Sequence, residues 1–468
     1  MDEESEELGS DMIKSDEKIK QNTNDEEIIN ENPAGNVNYT NETHSEKLAR
    51  YNINKKQAFF TLMLSVFVDV LGYSMILPLL PTIASKLGAS DIFVGIIIAS
   101  NSMMSLIFGP IWGHLSDKYG RKPILLISQA GTFAAFLILG LSPDIYVILL
   151  ARLVDGIFGG QLPVIRAYIS DITTADTRSH EVGKIAAGVA FGIIFGPALG
   201  GFLGAINWRY PAFLACGMSI ISIILATRLI ESMPEQRIAD IKKDKARRRL
   251  AQMDVKDKFL SPVLVIRYIQ YFLLSIAFSM FTTSLPLVVA ERFGANEIMI
   301  GVFMSMAGFL MILVSGFLLK TLIQKFGEKR MLGIAMSLLV ITFIVYPFLE
   351  RFGLLFIIGI PLIFGNSFSR PLIQANITKA AAEDKQGYAS GWSTNLQSLA
   401  QTIAPLISTG YLEMGTVYVG MNGILPYFFI GFTCAFCAMG LLGFGIYDMK
   451  KHSDTFVDSK DLKNRRIA

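Results

Sequence analysis

The chain has 468 residues, of which 52% are apolar and only 17% are charged, and its formal net charge is +3. A soluble protein of this length needs more charge to cover its surface, so the composition excludes an ordinary soluble protein and favours a membrane protein. The sequence contains no Cys/His or Ser/His constellation and no nucleotide-binding glycine loop, which excludes common enzyme classes and a pump driven by ATP. We therefore expect no enzyme activity, no cofactor, no metal and no nucleic-acid partner.

Residues 1–46 hold fourteen acids against three lysines, which is typical of a disordered tail. Twelve apolar segments follow, each long enough to cross a bilayer as a helix. Their predicted bounds are 57–84, 92–112, 123–142, 145–170, 184–206, 210–230, 262–290, 298–320, 330–349, 353–378, 388–411 and 425–447. The turns between them are short, so the sequence predicts an all-α membrane protein.

Residues 231–260 hold nine Lys or Arg and interrupt this series. We interpret them as a basic cytoplasmic linker between two six-helix bundles, 57–230 and 262–447, and residues 448–468 as a second cytoplasmic tail. Lysines and arginines concentrate in the loops on the same side as this linker, so the positive-inside rule predicts that both termini are cytoplasmic.

Charged residues inside the first and fourth predicted spans are candidates for ion coupling, because intramembrane charge is costly and marks function. They are Asp69, Arg152 and Asp155. At about 1.5 Å per residue, Asp69 and Arg152 fall at similar depth and can pair, while Asp155 lies on the same helical face as Arg152. Two acids and one base cannot all be charged comfortably in a dry cavity, so one acid can bind and release a proton. The alternative is a static salt bridge between the two helices.

The turn GHLSDKYGRK joins the second and third spans and carries Gly113, Asp117, Gly120, Arg121 and Lys122. Its glycines let two helices approach closely, and its charges can pair at the membrane surface. We interpret this segment as a gate that moves with the helices. The alternative is positive-inside charge with an accompanying acid.

The fifth span carries a stripe of small residues and one proline. Such a stripe allows backbone-to-backbone contact, and the proline bends the helix because it cannot donate a hydrogen bond. The span can then seal one face of a cavity, or it can simply pack closely. In the second half Ala404 precedes Pro405, which predicts a looser contact there. The stripe comprises Gly192, Gly196, Pro197, Gly200 and Gly201.

The two halves resemble one another in sequence. A shift of 208 residues takes Pro163 to Pro371 and Pro197 to Pro405, and a shift of 207 takes Gly120 to Gly327. Parallel repeats of this kind place a substrate site near the midplane between two halves that rock against each other. The candidate cavity residues are polar or aromatic and favour a lipophilic or cationic organic compound: Tyr73, Gln161, Gln270, Tyr271, Asn366, Arg370, Gln374 and Asn395.

These motifs carry a family resemblance. The turn from Gly113 to Lys122 resembles the signature of major facilitator superfamily transporters, and Arg152 with Gly156 resembles their fourth-helix motif. The segments GIIFGPALGG and LGYSMILPLLP are similar to motifs of twelve-helix drug:proton antiporters, the tetracycline-exporter-like branch. The resemblance implies two six-helix bundles related by a pseudo-twofold axis. It also implies that Asp117 and Arg121 join Asp171 in a charge network that forms only in the outward-facing state.

The resemblance favours a proton-coupled antiporter that exports a small organic solute by alternating access, acting as a monomer in the bilayer. A uniporter or symporter on the same scaffold remains open, as does a transporter-like receptor or scaffold without flux. The plasma membrane and the vacuolar or lysosomal membrane are both compatible with the sequence.

Overall fold

The structure, a computed structural model, describes residues 54–159, 161–173, 175–232, 261–381, 386–417, 425–452 and 456. The predicted acidic tail, most of the predicted linker and most of residues 448–468 lie outside these ranges, so the predicted domain bounds stay predictions. The described residues belong to one compact unit, 51–468.

The described part of the chain forms twelve long helices that follow the predicted spans. Three are interrupted: α1 has a 3₁₀ turn at Leu77–Leu79 and is followed by the short helix Leu80–Leu87, α4 breaks at Gly159, and α8 contains a π-helical turn at Val314–Leu318. The bounds are α1 Lys55–Leu79, α2 Asp91–Tyr119, α3 Arg121–Leu141, α4 Ile145–Phe158 with Gln161–Ile172, α5 Ala175–Ile206, α6 Tyr210–Thr227, α7 Pro262–Phe293, α8 Glu297–Phe326, α9 Glu328–Phe348, α10 Phe352–Ala380, α11 Gln386–Val417 and α12 Leu425–Lys451.

Eleven of these helices are long and apolar enough to cross a membrane, counted over the described residues. The twelfth, α11, is 32 residues long but rich in Ser, Thr, Asn and Gln. It packs between α2 and α7, so neighbouring helices shield much of its polar surface from lipid. The fold is therefore the predicted all-α bundle, and α11 differs from the other long helices in composition.

The repeat is visible in the backbone at two turns. Gly120 between α2 and α3 has φ 112° and ψ 153°, and Gly327 between α8 and α9 has φ 83° and ψ 157°. A residue with a Cβ rarely adopts such positive φ values. Glycine at both positions therefore lets each half make the same sharp reversal.

The two halves, α1–α6 and α7–α12, meet through α2 with α11 and through α5 with α8. A Cβ on Gly301 would lie 2.4 Å from the Pro197 carbonyl oxygen, and one on Gly95 would lie 2.0 Å from Thr409 Oγ1. These close approaches lie at the end of the bundle opposite the Gly120 and Gly327 turns. We call that end the far end, and the end with the two glycine turns the basic end.

Polar contacts also join the halves at the far end. Thr82 Oγ1 donates to Glu297 Oε1, and the Ile92 N–H donates to Glu413 Oε2 at 3.3 Å. Beyond the π-helical turn, the basic-end part of α8 packs on α9, and the turn itself packs on α10, both in the same half. The structure thus represents a state in which the halves are closed together at the far end.

Candidate functional site

The turn between α2 and α3 forms a charge network within the first half. Arg121 is 7% exposed. Its guanidinium binds Asp117 through Nη1 and Asp171 Oδ2 through Nε at 3.1 Å, and it donates to Ser116 Oγ at 2.8 Å. We call the segment Gly113–Lys122 the gate turn. The three charged residues that the resemblance implied, Asp117, Arg121 and Asp171, therefore contact one another through Arg121.

Glu231 and Ser232, which follow α6 in the chain, also take part in this network. The Glu231 carboxylate accepts the backbone N–H groups of Arg121 and Lys122 at 2.8 and 3.1 Å, which is an anion at a helix N-terminus. Ser232 Oγ donates to Asp171 Oδ2 at 2.6 Å. Sequence reasoning missed both residues because it assigned them to the linker.

The state of the network differs from the expectation. The resemblance implied that it forms only in the outward-facing state, yet it is complete here while the halves are closed at the far end. All its described members belong to the first half or to the residues directly after α6. Its formation therefore does not require the halves to meet at the basic end.

A cavity of about 180 Å³ lies between the halves at the middle of α1 and α2. Asp69 and Tyr73 of α1 share its wall, as expected from their spacing of one helical turn. The first half also contributes Asn101 and Asp155, and α11 contributes Ser398 and Gln401. Asp69 forms no ion pair with any residue that the structure describes.

Arg152 is paired with Asp155 and not with Asp69. Its Nη1 lies 2.9 Å from Asp155 Oδ2, and Asn101 Nδ2 donates to the same oxygen at 2.9 Å. The pair between Asp69 and Arg152 that their depth allows is therefore not formed in this structure. The reason is local, since Asp155 is one turn along α4 and reaches Arg152 without crossing to α1.

Asp155 sits just before the break in α4, where helix carbonyl groups lose their usual partners. Side chains of α2 and α3 replace these partners: Ser105 Oγ donates to the Gly156 carbonyl at 3.3 Å, Trp112 Nε1 to Ile157 and Ser128 Oγ to Phe158. The break is thus stabilised by neighbouring helices, and it orients the Asp155 turn toward the cavity.

A second, smaller cavity lies inside the first half, with about 10 Å³ of free space. Asp69 also lines this cavity. Hydrogen bonds connect its polar wall: Gln129 Nε2 donates to Ser65 Oγ, Ser65 Oγ to Gln161 Oε1 at 3.3 Å, and Gln161 Nε2 to Thr132 Oγ1 at 3.4 Å. Gln129 Oε1 is buried without a described partner.

This polar core corrects one predicted residue and adds others. Gln161, placed by the sequence in the substrate cavity, is 2% exposed and belongs to the interior of the first half. Ser65, Gln129, Thr132 and Ser222 were missed. They are uncharged polar residues within apolar spans, and only the packing of α1, α3, α4 and α6 brings them together with Gln161.

The small residues of α5 have two different partners. A Cβ on Gly196 would lie 1.8 Å from Ser74 Oγ, and one on Gly200 would lie 2.0 Å from the Met75 carbonyl oxygen, both on α1. Gly192 likewise approaches Val70 of α1. These glycines pack the first half together, whereas a Cβ on Gly201 would meet the Glu297 carbonyl oxygen of α8 at 2.4 Å.

The contact at Pro405 is looser than its equivalent at Pro197, as expected, since a Cβ on Gly301 would lie only 2.4 Å from the Pro197 carbonyl oxygen. A Cβ on Gly95 of α2 would lie 3.0 Å from the Pro405 carbonyl oxygen. The glycine that permits the close approach comes from the opposite helix, so Ala404 does not prevent it. Ala404 is itself fully buried.

Several predicted cavity residues of the second half bridge helices instead. Gln270 is 1% exposed and donates to the Phe444 carbonyl of α12 at 3.2 Å. Tyr271 donates to Gln397 of α11 at 3.0 Å, and Gln374 donates to Ser390 at 3.2 Å. Gln270 is thus a packing residue and not a cavity residue.

Two other residues on α10 keep polar groups without hydrogen bonds to described residues. Asn366 Oδ1 is buried and unpartnered, and the Arg370 guanidinium lies 5.7 Å from the ring centre of Phe278 on α7. Asn395 is half-buried on α11. The structure does not place these three residues in the wall of the cavity that contains Asp69.

Comparison with known proteins agrees with the arrangement of two six-helix halves. The model of the Major Facilitator Superfamily matches residues 62–405. The chain belongs to the Major Facilitator Superfamily. As a member of this superfamily it is a multi-pass membrane protein and a secondary transporter that moves a small solute by alternating access, and it is not an enzyme.

Curated relatives include proteins named for resistance to drugs. Multidrug resistance protein 2 of Bacillus subtilis (strain 168) is 24% identical over 383 residues, which cover 81% of this chain and 93% of that protein. The class H tetracycline resistance protein of Pasteurella multocida is 27% identical over 387 residues, which cover 80% of this chain and 96% of that protein.

Solved structures share the superfamily fold. A bacterial homologue of the human lysosomal transporter Spinster, in an inward-facing and occupied conformation, has a TM-score of 0.69 at 12% identity and covers 86% of this chain and 98% of that chain. The human organic anion transporter MFSD10 (TETRAN) has a TM-score of 0.60 at 18% identity, with 82% and 99% covered.

Proposed function

We propose that this transporter is a proton-coupled antiporter that exports a small organic compound. The observation that carries the proposal is the position of Asp69. Its carboxyl group lines both the cavity between the halves and the polar cavity inside the first half. It forms no ion pair with the described residues, whereas Asp155 has both Arg152 and Asn101 as partners.

The two acids therefore have different roles. Asp155 has a cation and a hydrogen-bond donor as partners, so it holds Arg152 in place. Asp69 has no such partner, and a carboxyl group of this kind binds a proton when the surroundings are dry. Opening the cavity to water allows Asp69 to release the proton, and Arg152 is the nearby cation that can then approach it.

The polar core of the first half offers the proton a path that the substrate does not use. Its free space matches one water site, and its members can pass a hydrogen bond from α1 to α3, α4 and α6. The unpartnered Gln129 Oε1 supplies an acceptor for such a water. Separating the proton path from the substrate cavity suits an antiporter, because the two ligands bind in turn.

The transported compound is proposed to be a lipophilic organic molecule. Support comes from the wall of the cavity, in which Tyr73 stands beside amide and hydroxyl groups, and from relatives named for resistance to tetracycline and to several drugs.

The proposed orientation places the basic end in the cytoplasm, because the lysines and arginines of the loops gather there. Both termini are then cytoplasmic. The far end faces the outside or an organelle lumen, so the plasma membrane and a vacuolar or lysosomal membrane both remain proposals. We further propose that one chain suffices, since both halves of the transport cavity come from the same chain.

The experiment is uptake by proteoliposomes with and without an imposed pH gradient, with tetracycline and a quinolone as probes. Wild-type protein should accumulate a probe only with the gradient, and Asp69→Asn should reduce this uptake at least tenfold, the scale of losing one functional acid. Glu350→Gln, an exposed loop acid, is the control and should retain it.

Other outcomes would contradict the proposal. Flux that ignores the gradient and survives Asp69→Asn would indicate a uniporter. Uptake of probe in the same direction as protons would indicate a symporter. Absence of flux for every compound, with specific binding retained, would indicate a receptor.

A further inference from the structure

We infer that Arg370 of α10 binds an anionic group, such as a carboxylate, on the transported compound. This binding rests on the proposed transport of an organic compound and specifies the charge of that compound. Arg370 lies about 15 Å from the basic-end terminus of α10 at Ala380, so it is within the membrane-spanning part of the helix. It is half-buried and forms no ion pair or hydrogen bond with the residues that the structure describes.

The other arginines inside the described helices have counter-charges. The three buried ones are Arg121, Arg152 and Arg267, and each of them pairs with at least one carboxylate. A cation within a membrane span is costly and marks a functional site unless it is neutralised. Arg370 is therefore the arginine to examine for a ligand.

The second half supplies no acid that could neutralise Arg370. The sequence from α7 to α11 has no Asp or Glu except near helix ends, as shown by the acid-free stretches 262–290, 298–327, 329–349, 352–382 and 386–412. In the first half, Asp69 forms no ion pair with Arg370 in this structure. The missing counter-charge is thus available from a bound anion.

The guanidinium of this arginine lies on the side of α7 that adjoins the cavity between the halves. Its carbon is 5.7 Å from the ring centre of Phe278. Phe278 follows Tyr271 by two helical turns, so the two side chains share one face of α7. Tyr271 donates a hydrogen bond to Gln397 of α11 at 3.0 Å, and the next residue of α11, Ser398, lines the cavity.

The level of the guanidinium also matches that of the cavity. Because α7 and α11 both begin at the basic end, they run in the same direction. Starting from the contact of Tyr271 with Gln397, Phe278 is about 10 Å nearer the far end, and the cavity residue Gln401 is about 6 Å nearer. The difference is less than one helical turn. A compound in the cavity can therefore place a substituent on Arg370.

Buried polar groups without partners accompany Arg370 on α10. Asn366 and Ser367 precede it by four and three residues, so they lie on the same side of the helix. Asn366 Oδ1 and Ser367 Oγ are buried and have no hydrogen-bond partner among the described residues. Such groups are uncommon in folded proteins and indicate a bound water or ligand. The Ser367 hydroxyl can donate to the same anion as the guanidinium.

The chemistry of this position selects an organic anion. A guanidinium offers parallel N–H donors that match the two oxygens of a carboxylate. The Phe278 ring beside it provides apolar surface for the rest of the molecule. The sequence alone favoured a lipophilic or cationic compound, whereas Arg370 without an acid favours a lipophilic compound that carries a negative group.

The test compares acids with their uncharged esters. Isothermal titration calorimetry on the purified full-length chain in detergent uses naphthoic acid, a quinolone carboxylic acid and the methyl ester of each as probes. The ester keeps the ring system and removes the charge. Wild type should bind at least one acid about tenfold more tightly than its ester, the scale of one hydrogen bond to a charged group.

The variants assign this preference to Arg370. Arg370→Gln should bind acid and ester within about twofold of each other. Arg370→Lys keeps the charge but not the planar pair of donors, so it should retain part of the preference. The matched control is Arg351→Gln, which removes an exposed arginine just before α10 and should keep the full preference. Since Arg370 has no acid partner to lose, its variants should melt close to wild type without ligand.

Several results would overturn the inference. Equal binding of acid and ester by wild type, or no binding of either acid, would remove the anion site. Equal weakening of acid and ester in Arg370→Gln would mean that Arg370 only supports the packing on Phe278. Loss of the preference in Arg351→Gln as well would mean that general positive charge attracts the acid. Binding in detergent needs no pH gradient, so flux that ignores the gradient would refute the proposed proton coupling without affecting this test.

Discussion

The gate turn of the first half and its repeat in the second half have the same backbone but different chemistry. Gly120 and Gly327 reverse the chain with positive φ in both. At the first turn, Arg121 is buried and bound to acids. At the second turn, Gln324 stands where Asp117 does under the 207-residue shift, and Glu328 stands where Arg121 does.

The two turns therefore share a backbone conformation but differ in the contacts of their charged side chains. The backbone reversal depends on one glycine, so it survives changes in the charged residues around it. In the first half, Arg121 is buried and pairs with Asp171. In the second half, Lys329 and Arg330 line a separate cavity between the turn and the end of α12.

The largest expected effect concerns the buried ion pair of the second half. Asp448→Asn should lower the free energy of unfolding by about 3–5 kcal/mol, because it removes a hydrogen-bonded counter-charge from the fully buried Arg267. Thermal unfolding in detergent measures this. His452→Gln, which removes the more exposed partner of Asp448, is the control and should have a much smaller effect. If Asp448→Asn is as stable as wild type, the pair does not support the second half.

The far end gives the next effect. Gly201→Leu should disfavour closure of α5 on α8 by about 1–3 kcal/mol, since even a Cβ would lie 2.4 Å from a backbone oxygen. Probe uptake by proteoliposomes should then fall roughly tenfold. Gly217→Leu is the matched control, because no heavy atom lies within 4 Å of a Cβ there. Equal loss in both variants would mean that the approach of the halves at Gly201 is not needed.

The gate turn itself comes third. Arg121→Gln should slow transport by about tenfold, a change of roughly 1.4 kcal/mol in a conformational barrier, because three neighbours lose a charged partner. Lys329→Gln, on the equivalent turn, should leave the transport rate unchanged. Equal slowing by the two variants would mean that the two turns do not differ in function.

The smallest effect is expected from restoring the missing acid. Gln324→Asp should change probe uptake less than twofold, because an exposed pair contributes under about 1 kcal/mol and Glu328 occupies the position equivalent to Arg121. A gain of transport in this variant would show that the second turn retains a switch role.

Much of the fold could be predicted from the sequence, because hydrophobic length and glycine position are local properties. The spans matched the helices within a few residues at most ends, and Gly120 with Gly327 marked equivalent turns. The end of α12 was placed too early, at 447, since its last turn carries Asp448 and two lysines that resemble a tail.

The candidate site was only partly predictable. Asp69, Asp155 and Arg152 were identified because a charged residue within a membrane span is energetically costly. This property can be read from the sequence one residue at a time. Which acid binds Arg152 could not be predicted, because pairing depends on distances between side chains. Glu231 and Ser232 were missed, since their partners lie over 60 residues away in the chain.

The sequence by itself determined the class of protein, the number of long helices, the duplicated halves and the charged residues that lipid would not tolerate. Only the tertiary structure decided which side chains contact each other. It pairs Arg152 with Asp155, leaves Asp69 without an ion pair among the described residues, and assembles the polar core around Gln129. The reason is physical. Hydrophobic length and turn conformation act within a few residues, whereas ion pairs, cavities and hydrogen bonds between helices depend on how distant segments pack.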